Sequence, residues 1–374
     1  MKRILCFSVL ILLGISLTGC AEVKLLERVG LTTLIGFDLG EKEDVETTAV
    51  VRQVGTNLES TVSIISAENE TTEGTGSKIN YRTAEKIVSG QVRGVLFGEE
   101  LAKKGIGHYI DTMLKNPTIS DGIYLTVVEG EARPVLEFQY ANIPEIGEHI
   151  YKLLKQNIQN EQMVSSTLHE VAFDYYTVGR DIAIPIIKRD QELVSISGIA
   201  LFDSSKMVGT LSVEDSFYVK LGQENFRAGR NEIIIKGDDL PSSLLPTQVD
   251  EISIVFDPIK TKKKVKLVNP EQLEFDIHIK MQARILEIKQ NINVGQAKNA
   301  ELLEKAINKR LESEIGRVIA YSQEVGSDIY GLGEYYRSVV RHSNLTEEKW
   351  HELYKDLNVN IDVDFTLIRS GVFE

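Results

Sequence analysis

Residues 273–285 read Leu-Glu-Phe-Asp-Ile-His-Ile-Lys-Met-Gln-Ala-Arg-Ile, and they set the architecture of the last third of the chain. Apolar residues stand at every second position, which is the period of a β-strand with one buried face. The intervening positions are polar or charged: Glu274, Asp276, His278, Lys280, Gln282 and Arg284. We therefore predict a long strand in a sheet that is covered on one side only.

The segments that follow supply a cover for that sheet. Apolar residues recur at helical spacing from about residue 297 to 324, and a glycine-punctuated helical segment follows at 330–341. The chain then closes with alternating apolar residues at 359–367, which leaves Asp362 and Asp364 on the opposite, wet face. We predict a C-terminal β-α-β domain: an antiparallel sheet covered by a long amphipathic helix, with its other face open to solvent or a partner.

The first half of the chain mixes the two periods without a regular β-α repeat. Residues 31–39 and 45–54 predict a hairpin, residues 68–78 a flexible polar loop and residues 83–95 a helix. Residues 181–188 predict an edge or terminal strand, because Pro185 lacks a backbone donor. This irregular alternation favours the α+β class, with mixed and antiparallel sheets packed against helices.

A chain of 374 residues is too long for one core and suggests two or three domains. Composition shifts after residue 190, and Pro241 and Pro246 mark a second boundary. We predict a signal peptide at 1–19, an N-terminal α+β domain at 20–190, a small middle domain at 191–248 and the C-terminal domain at 249–374.

The N-terminus has the three parts of a secretory signal. Lys2 and Arg3 precede an apolar run at 4–13, which falls short of the roughly 20 residues that cross a bilayer. Leu17-Thr18-Gly19-Cys20 then looks like a bacterial lipobox, which predicts cleavage between Gly19 and Cys20 and diacylglycerol on Cys20. An ordinary signal with a chance cysteine, or an uncleaved anchor, are the alternatives. Two acyl chains would anchor the body stably to the outer face of a membrane.

Charge and cysteine content limit which molecules the chain can bind and how its fold can be stabilised. The formal net charge is −13, and loss of Lys2 and Arg3 with the signal brings it to −15. Such a body is repelled by nucleic acid and by anionic headgroups, so we expect the lipid to hold it to the membrane. The two cysteines are Cys6 and Cys20, so an exported mature chain has no disulfide to stabilise it.

Residue patterns that would indicate an enzyme are missing from the sequence. The six histidines are scattered without metal-ligand spacing, and no Gly-x-Ser-x-Gly motif is present. Asp362 and Asp364 could hold a cation with help from elsewhere, but an exposed strand face explains them better. We interpret Trp350 as a core residue of a short helix. The sequence therefore predicts no enzyme activity, no metal and no cofactor.

Several segments together resemble the Ger(x)C family, the C-subunit lipoproteins of spore germinant receptors. They are the lipobox at Cys20, residues 34–38 (Leu-Ile-Gly-Phe-Asp), 97–105 (Phe-Gly-Glu-Glu-Leu-Ala-Lys-Lys-Gly), 197–202 (Ser-Gly-Ile-Ala-Leu-Phe), 328–335 (Asp-Ile-Tyr-Gly-Leu-Gly-Glu-Tyr), Trp350 and the closing strand through 368–371. Their order and spacing are more specific than any single piece. Two departures stand out: Ala21-Glu22 where the family has Trp-Asp, and Lys115-Asn116-Pro117 where it has Arg-Asp-Pro.

The resemblance implies three α+β domains and a non-enzymatic, lipid-anchored subunit that assembles with membrane-embedded A and B subunits at the spore inner membrane. It does not identify a germinant, nor whether this subunit binds one directly. The alternative function is a solute-binding lipoprotein that delivers a small ligand to a transporter. Such proteins usually show two lobes of repeated β-α units around a cleft, which this chain lacks.

Overall fold

The structure is a computed structural model that describes residues 29–41, 44–54, 60–226, 229–241, 244–245 and 249–368. The predicted signal peptide and the lipid-attachment residue Cys20 lie outside the described residues. Among the described helices, none combines the length and apolar character needed to cross a bilayer.

A large mixed sheet occupies the first part of the chain. Its strands are β1 Val29–Leu39, β2 Val45–Val54, β3 Ser60–Asn69, β4 Lys86–Val88, β5 Gly94–Gly98, β6 Tyr124–Val128, β7 Ala183–Asp190, β8 Leu193–Asp203 and β9 Lys206–Ser212. The spatial order is β3-β2-β1-β5-β6-β7-β8-β9, with β4 paired to β1 at the side of this path. The central strands β1, β5, β6 and β7 run parallel, and the flanking hairpins are antiparallel.

Helices cover both faces of this sheet. They are α1 Thr72–Asn80, α2 Glu99–Lys104, α3 Gly107–Lys115, α4 Ala132–Glu137, α5 Ile146–Gln159 and α6 Leu168–Tyr176. Successive residues of β5 show the two layers, because Val95 and Phe97 enter the core beneath α2, α3 and α6, whereas Leu96 enters the core beneath α4 and α5. Side chains of opposite parity on a strand point to opposite faces, so both faces of β5 are buried.

The hairpin of β1 and β2 is confirmed, but two neighbouring predictions were wrong. Residues 83–95 contain β4 and the start of β5 instead of a helix, because their β-branched residues add to the parallel centre of the sheet. Residues 68–78 were expected to be a loop, and most of them form α1. Its N-cap Thr71 accepts a hydrogen bond from the Gly74 backbone.

Pro185 was expected at an edge, yet β7 lies between β6 and β8. The pairing of β7 with β8 shifts register between Ile186 and Ile187, close to the missing donor. The carbonyl of Pro185 also accepts a hydrogen bond from Thr126 Oγ1 at 2.7 Å. The bulge therefore lies close to the position where proline cannot donate to the ladder, and Thr126 satisfies the proline carbonyl.

Strands β8 and β9, which we assigned to a middle domain, add to the first sheet by pairing with β7. The boundary we placed after residue 190 therefore falls between two hydrogen-bonded strands. The division into three domains stays a prediction.

A second sheet and its helices form the rest of the chain. The elements are α7 Asp215–Gln223, β10 Asn231–Lys236, a short 3-10 helix Gly237–Asp239, β11 Glu251–Asn269, β12 Glu274–Ile288, α8 Ala297–Val325, α9 Leu332–Val339, α10 Glu347–Tyr354 and β13 Asn358–Leu367. The strand order is β10-β11-β12-β13. The α+β class predicted from the sequence is confirmed.

The predicted long helix is α8, and it covers one face of this sheet. Leu303, Ile307 and Leu311 on its inner side share a core with Phe275 and Ile277 of β12. The left-handed Gly326 ends the helix. The antiparallel arrangement was right for β10 to β12 and wrong for the last pair, since β13 runs parallel to β12. Helices α8 to α10 return the chain to the start of β12 before β13 begins.

Side chains of α8 cap the free edge of β13. Three outward-pointing backbone N–H groups of β13 donate to α8 residues spaced four apart: Val363 to Glu312 (3.0 Å), Phe365 to Asn308 (2.8 Å) and Leu367 to Glu304 (2.8 Å). Positions four apart lie on one face of a helix, so one side of α8 runs along this edge. These three edge donors are therefore satisfied without another strand.

Candidate functional site

Asp181 is a fully buried carboxylate just before β7, where the first sheet meets the C-terminal elements. Its Oδ1 accepts a hydrogen bond from the backbone of Ser204 at 2.8 Å, and its Oδ2 accepts one from the backbone of Asp328 at 2.7 Å. His351 Nε2 lies 3.0 Å from Oδ2 and 3.1 Å from Oδ1. One carboxylate thus links three segments that are far apart in sequence.

The His351 ring, on α10, lies between two carboxylates of the first sheet. Its Nδ1 is 3.2 Å from Oδ1 of Asp203, at the end of β8, and its Nε2 faces Asp181 and lies 3.6 Å from Glu347 Oε1. Burial favours the neutral ring, but the hydrogen bond to Asp181 and the three negative charges prevail and raise the pKa of His351 to about 9. The ring is therefore a cation at neutral pH, held between the two halves of the molecule.

Asp328 is the second fully buried carboxyl group at this place. Its Oδ2 accepts hydrogen bonds from the Gly333 backbone and from Trp350 Nε1, both at 2.9 Å, whereas its Oδ1 has no hydrogen-bond partner among the described residues. Burial is the main cause that raises the pKa of Asp328 to about 7, and the nearby charge of Asp181 adds to it. Trp350 is completely buried on α10, which confirms that it is a core residue of a short helix.

Backbone segments of the two halves touch beside these carboxyl groups. The Glu334 backbone donates to the Gly179 carbonyl at 2.9 Å, and a Cβ placed on Gly179 would lie 2.6 Å from the Cα of Gly333. Arg180 adds ion pairs with Asp174 at 2.5 Å and with Glu334 at 3.4 Å. Glycine at positions 179 and 333 allows the two backbone segments to approach this closely.

We call Asp181, Asp203, Asp328, Glu347, Trp350 and His351 the junction cluster. Three of these residues could ligate one metal ion, because the ligand atoms of Asp181, Glu347 and His351 lie within 4.8 Å of one another. A metal would have to displace the proton that three carboxylates hold on His351, because imidazole binds metals only when neutral. The arrangement favours a protonated ion-pair link between the halves of the molecule over a metal centre.

We expect the stabilisation that His351 provides to vanish at alkaline pH. The folded-state pKa lies above the ordinary value of 6.5, so the folded chain holds the proton more tightly than the unfolded chain. The stabilisation is therefore complete below about pH 6.5 and is lost as the pH rises through 9. The unfolding free-energy difference between the wild type and His351→Gln should shrink by about 2–3 kcal/mol over this interval, as measured in urea.

The unfolding free energies of the wild type and His351→Gln have to be compared with each other, because other groups also titrate in this pH range. Burial lowers the pKa of Lys263 to about 8, which makes the folded state gain stability as the pH rises above that value. This contribution is present in both proteins and cancels. A difference that stays constant from pH 6.5 to 9 would contradict a protonated His351 in the junction cluster.

A second feature is the face of the second sheet opposite α8, formed by the outward side chains of β11, β12 and β13, which we call the open face. Its polar side chains pair between β12 and β13, with His278 Nδ1 2.6 Å from Asp362 Oδ2 and Lys280 Nζ 3.3 Å from Asp364 Oδ2. Asp362 and Asp364 are largely exposed, which confirms the exposed strand face. Each of the two carboxylates has a partner on β12, which favours an exposed strand face over a cation site.

A groove of about 300 Å³ opens between α1 and α3 over the first sheet. Phe37, Ile79, Tyr109 and Met113 are among the residues that line it. Its volume reaches the lower end of the range for small-molecule sites. It has no convergent charged groups comparable with those of the junction cluster.

Sequence reasoning missed the junction cluster. Gly19 and Cys20, the predicted site residues, lie outside the described part of the chain. Trp350 and the segment that begins at Asp328 belong to the pattern that resembles the family. Nothing in the sequence connected them with Asp181, which is 147 residues from Asp328 and 170 from His351.

Comparison with known proteins gives matches along nearly the whole chain. A family model described as the spore germination protein N-terminal domain matches residues 22–189. A second, described as spore germination B3/GerAC-like, C-terminal, matches residues 197–371. The two matches meet close to the start of β8, so the junction cluster draws residues from both.

Individual relatives are similar over their full length. The spore germination protein GerQC of Bacillus cereus is 26% identical, and the alignment covers 100% of both chains. The spore germination protein B3 of Bacillus subtilis is 21% identical, with 99% of each chain covered. The crystal structure of the GerBC protein aligns with 90% of this chain and 97% of that one at a TM-score of 0.49 and 17% identity.

Proposed function

The chain belongs to the Ger(x)C family of spore germination proteins, and we propose that it is the lipid-anchored, non-enzymatic C subunit of a nutrient germinant receptor. Two successive family models spanning residues 22–189 and 197–371 are the observation that carries this proposal. Relatives of matching length are named as spore germination proteins. These names describe germination proteins and not enzymes, which supports a non-enzymatic role together with the lack of a catalytic residue pattern in the sequence.

We propose that diacylglycerol on Cys20 holds the protein to the outer face of the spore inner membrane. The lipobox supports this location. Nine peptide links connect Cys20 to Val29, the first residue of β1, so the body stays within about 30 Å of the anchor even if the connection is fully extended. At that distance it can meet the membrane-embedded A and B subunits.

We further propose that the protein acts by docking and that the junction cluster keeps its two halves in one arrangement. Buried ion pairs and the backbone contact between Gly179 and Gly333 join elements of both family-model regions. A rigid body of this kind can pass a change at one docking surface to another. This role needs no bound cofactor.

The anchor proposal predicts that Cys20→Ala removes the protein from the membrane. Without the acyl chains the membrane-bound fraction should fall at least about tenfold, because two chains are needed for stable attachment. Fractionation followed by immunoblotting measures this. Cys6→Ala is the matched control, since it removes the other cysteine and should leave anchoring intact.

Cys20→Ala could also leave the signal uncleaved and still inserted. A second variant therefore replaces residues 1–20 with a cleavable signal that lacks the lipobox. Retention of this second protein on membranes after a high-salt wash, which removes electrostatically bound protein, would refute anchoring by lipid at Cys20.

The receptor proposal is tested by an in-frame deletion followed by germination with single nutrients. Loss of the response to particular nutrients, with growth and solute uptake unchanged, would support the receptor subunit. Normal germination with defective uptake of one solute would instead support the solute-binding alternative, for which the groove between α1 and α3 would be the first place to look.

A further inference from the structure

Four lysines form a row on the open face. Lys260, Lys262, Lys264 and Lys266 occupy alternate positions of β11, and all four side chains are exposed. Alternate residues on a strand are about 6.7 Å apart, so the row extends over about 20 Å. Within the described residues, none of these four ammonium groups takes part in an ion pair. We call Lys260, Lys262, Lys264 and Lys266 the lysine row.

The neighbouring strand does not neutralise the lysine row. Lys262 lies directly opposite Lys280, a like charge, and Lys264 lies opposite His278, which carries no negative charge. Like charges directly opposite one another destabilise a sheet, whereas a stable isolated face would place acids there. The acids of β13 are already engaged, because Asp362 faces His278 and Asp364 faces Lys280. Among the described residues of β12, only Asp276, opposite Lys266, places a negative charge directly across from the lysine row.

The lysine row also has the opposite charge from the molecule as a whole. Residues 260–284 contain seven Lys and Arg and three Asp and Glu, a net charge of +4 in a chain of net charge −13. The remaining residues therefore carry −17. Such an asymmetry orients a molecule in front of an anionic surface, since the acidic remainder is repelled while the row is attracted.

We propose that the lysine row binds the headgroups of anionic phospholipids and so sets the orientation of the body on the membrane. This inference rests on the proposed function, since the acyl anchor at Cys20 would keep the row close to the bilayer. Flexible lysines on a flat sheet suit a surface of mobile phosphates, which need no shaped pocket. Exposed Ile259 and Val268 at the two ends of the row suit the same surface.

The test uses the chain from Ala21 onward, which contains every described residue and carries no acyl group. Its binding is measured by co-sedimentation with vesicles of phosphatidylcholine alone or of phosphatidylcholine mixed equally with phosphatidylglycerol. We expect binding to the mixed vesicles only, with weakening as salt is added. Replacement of all four lysines of the row by glutamine should weaken it at least about tenfold.

The matched control replaces four other exposed lysines by glutamine: Lys289, Lys298, Lys305 and Lys349. It changes the net charge by the same amount and should bind as the unmodified chain does. Circular dichroism and thermal unfolding verify that both variants fold.

Three results would overturn the proposal. They are equal binding to both kinds of vesicle, equal loss in both quadruple variants, and no vesicle binding by the unmodified chain. If vesicles are not bound but substitution of the row abolishes co-purification with the A or B subunit, the row is a protein-docking surface instead. None of these outcomes depends on Cys20 or on a germination response, so the lipid-binding proposal and the receptor proposal can fail separately.

Discussion

Asp181→Asn should lower the free energy of unfolding by about 3–5 kcal/mol, which is the usual cost of breaking a buried ion pair by removing one charge. The amide would place a donor where the carboxylate accepts from the backbone of Ser204 or Asp328. His351 would also lose its buried counter-charge, so its pKa should fall from about 9 toward its ordinary value. Urea unfolding measures the first effect, and an NMR titration of the His351 ring measures the second.

Asp203→Asn is the matched control for this substitution. Asp203 lies 3.2 Å from the other nitrogen of the same ring, but its side chain is 46% exposed, whereas that of Asp181 is 0% exposed. Exposed ion pairs contribute about 0–1 kcal/mol, so this variant should lose little. Equal losses of unfolding free energy in the two variants would show that burial does not strengthen the interaction of Asp181 with His351.

Gly179→Ala should destabilise the protein by about 3 kcal/mol, as the combined result of overpacking and backbone strain. Gly179 has a φ of 85°, where side chains other than hydrogen are strained. A Cβ at this residue would lie 2.5 Å from the carbonyl carbon of Gly333 and 2.7 Å from the backbone nitrogen of Glu334. Backbone atoms cannot rotate away, so the two halves of the molecule would have to separate locally. Denaturant unfolding gives the size of the loss.

Gly76→Ala is the control of opposite sign. Gly76 lies inside α1, and a Cβ there meets no atom within 4 Å. Alanine should therefore stabilise the helix by about 0.5–1 kcal/mol. A loss at Gly76 comparable with that at Gly179 would show that the close approach to Gly333 is not the cause.

Local periodicity carried much of the fold. The alternation at 273–285 and the helical spacing from 297 onward predicted β12 and α8, because each depends on one face of one element. The direction of β13 could not be predicted in the same way, since an alternating strand looks identical in parallel and antiparallel pairs. The helix prediction for residues 83–95 was wrong because a short apolar run fits both the helical and the strand period. Pairing with the neighbouring strand β1 is what makes these residues strands.

The junction cluster shows where sequence reasoning stops. Asp181 and His351 interact across 170 residues, and neither lies in a motif with characteristic spacing. In the sequence, Gly331 and Gly333 indicate only interruptions of a helical segment, whereas in the structure Gly333 allows Trp350 and Gly179 to approach. Contacts of this kind follow from how the two halves pack, which no local pattern in one sequence specifies.

Copies of the protein held on one membrane by the proposed lipid anchor would meet one another often, and an exposed strand edge would then invite edge-to-edge aggregation. Glu304, Asn308 and Glu312 already accept the outward donors of β13, so an incoming strand would have to displace three hydrogen bonds before it gained any. We therefore expect this edge to resist both self-association and strand addition by another protein, which leaves the sheet faces and the remaining edges for specific assembly.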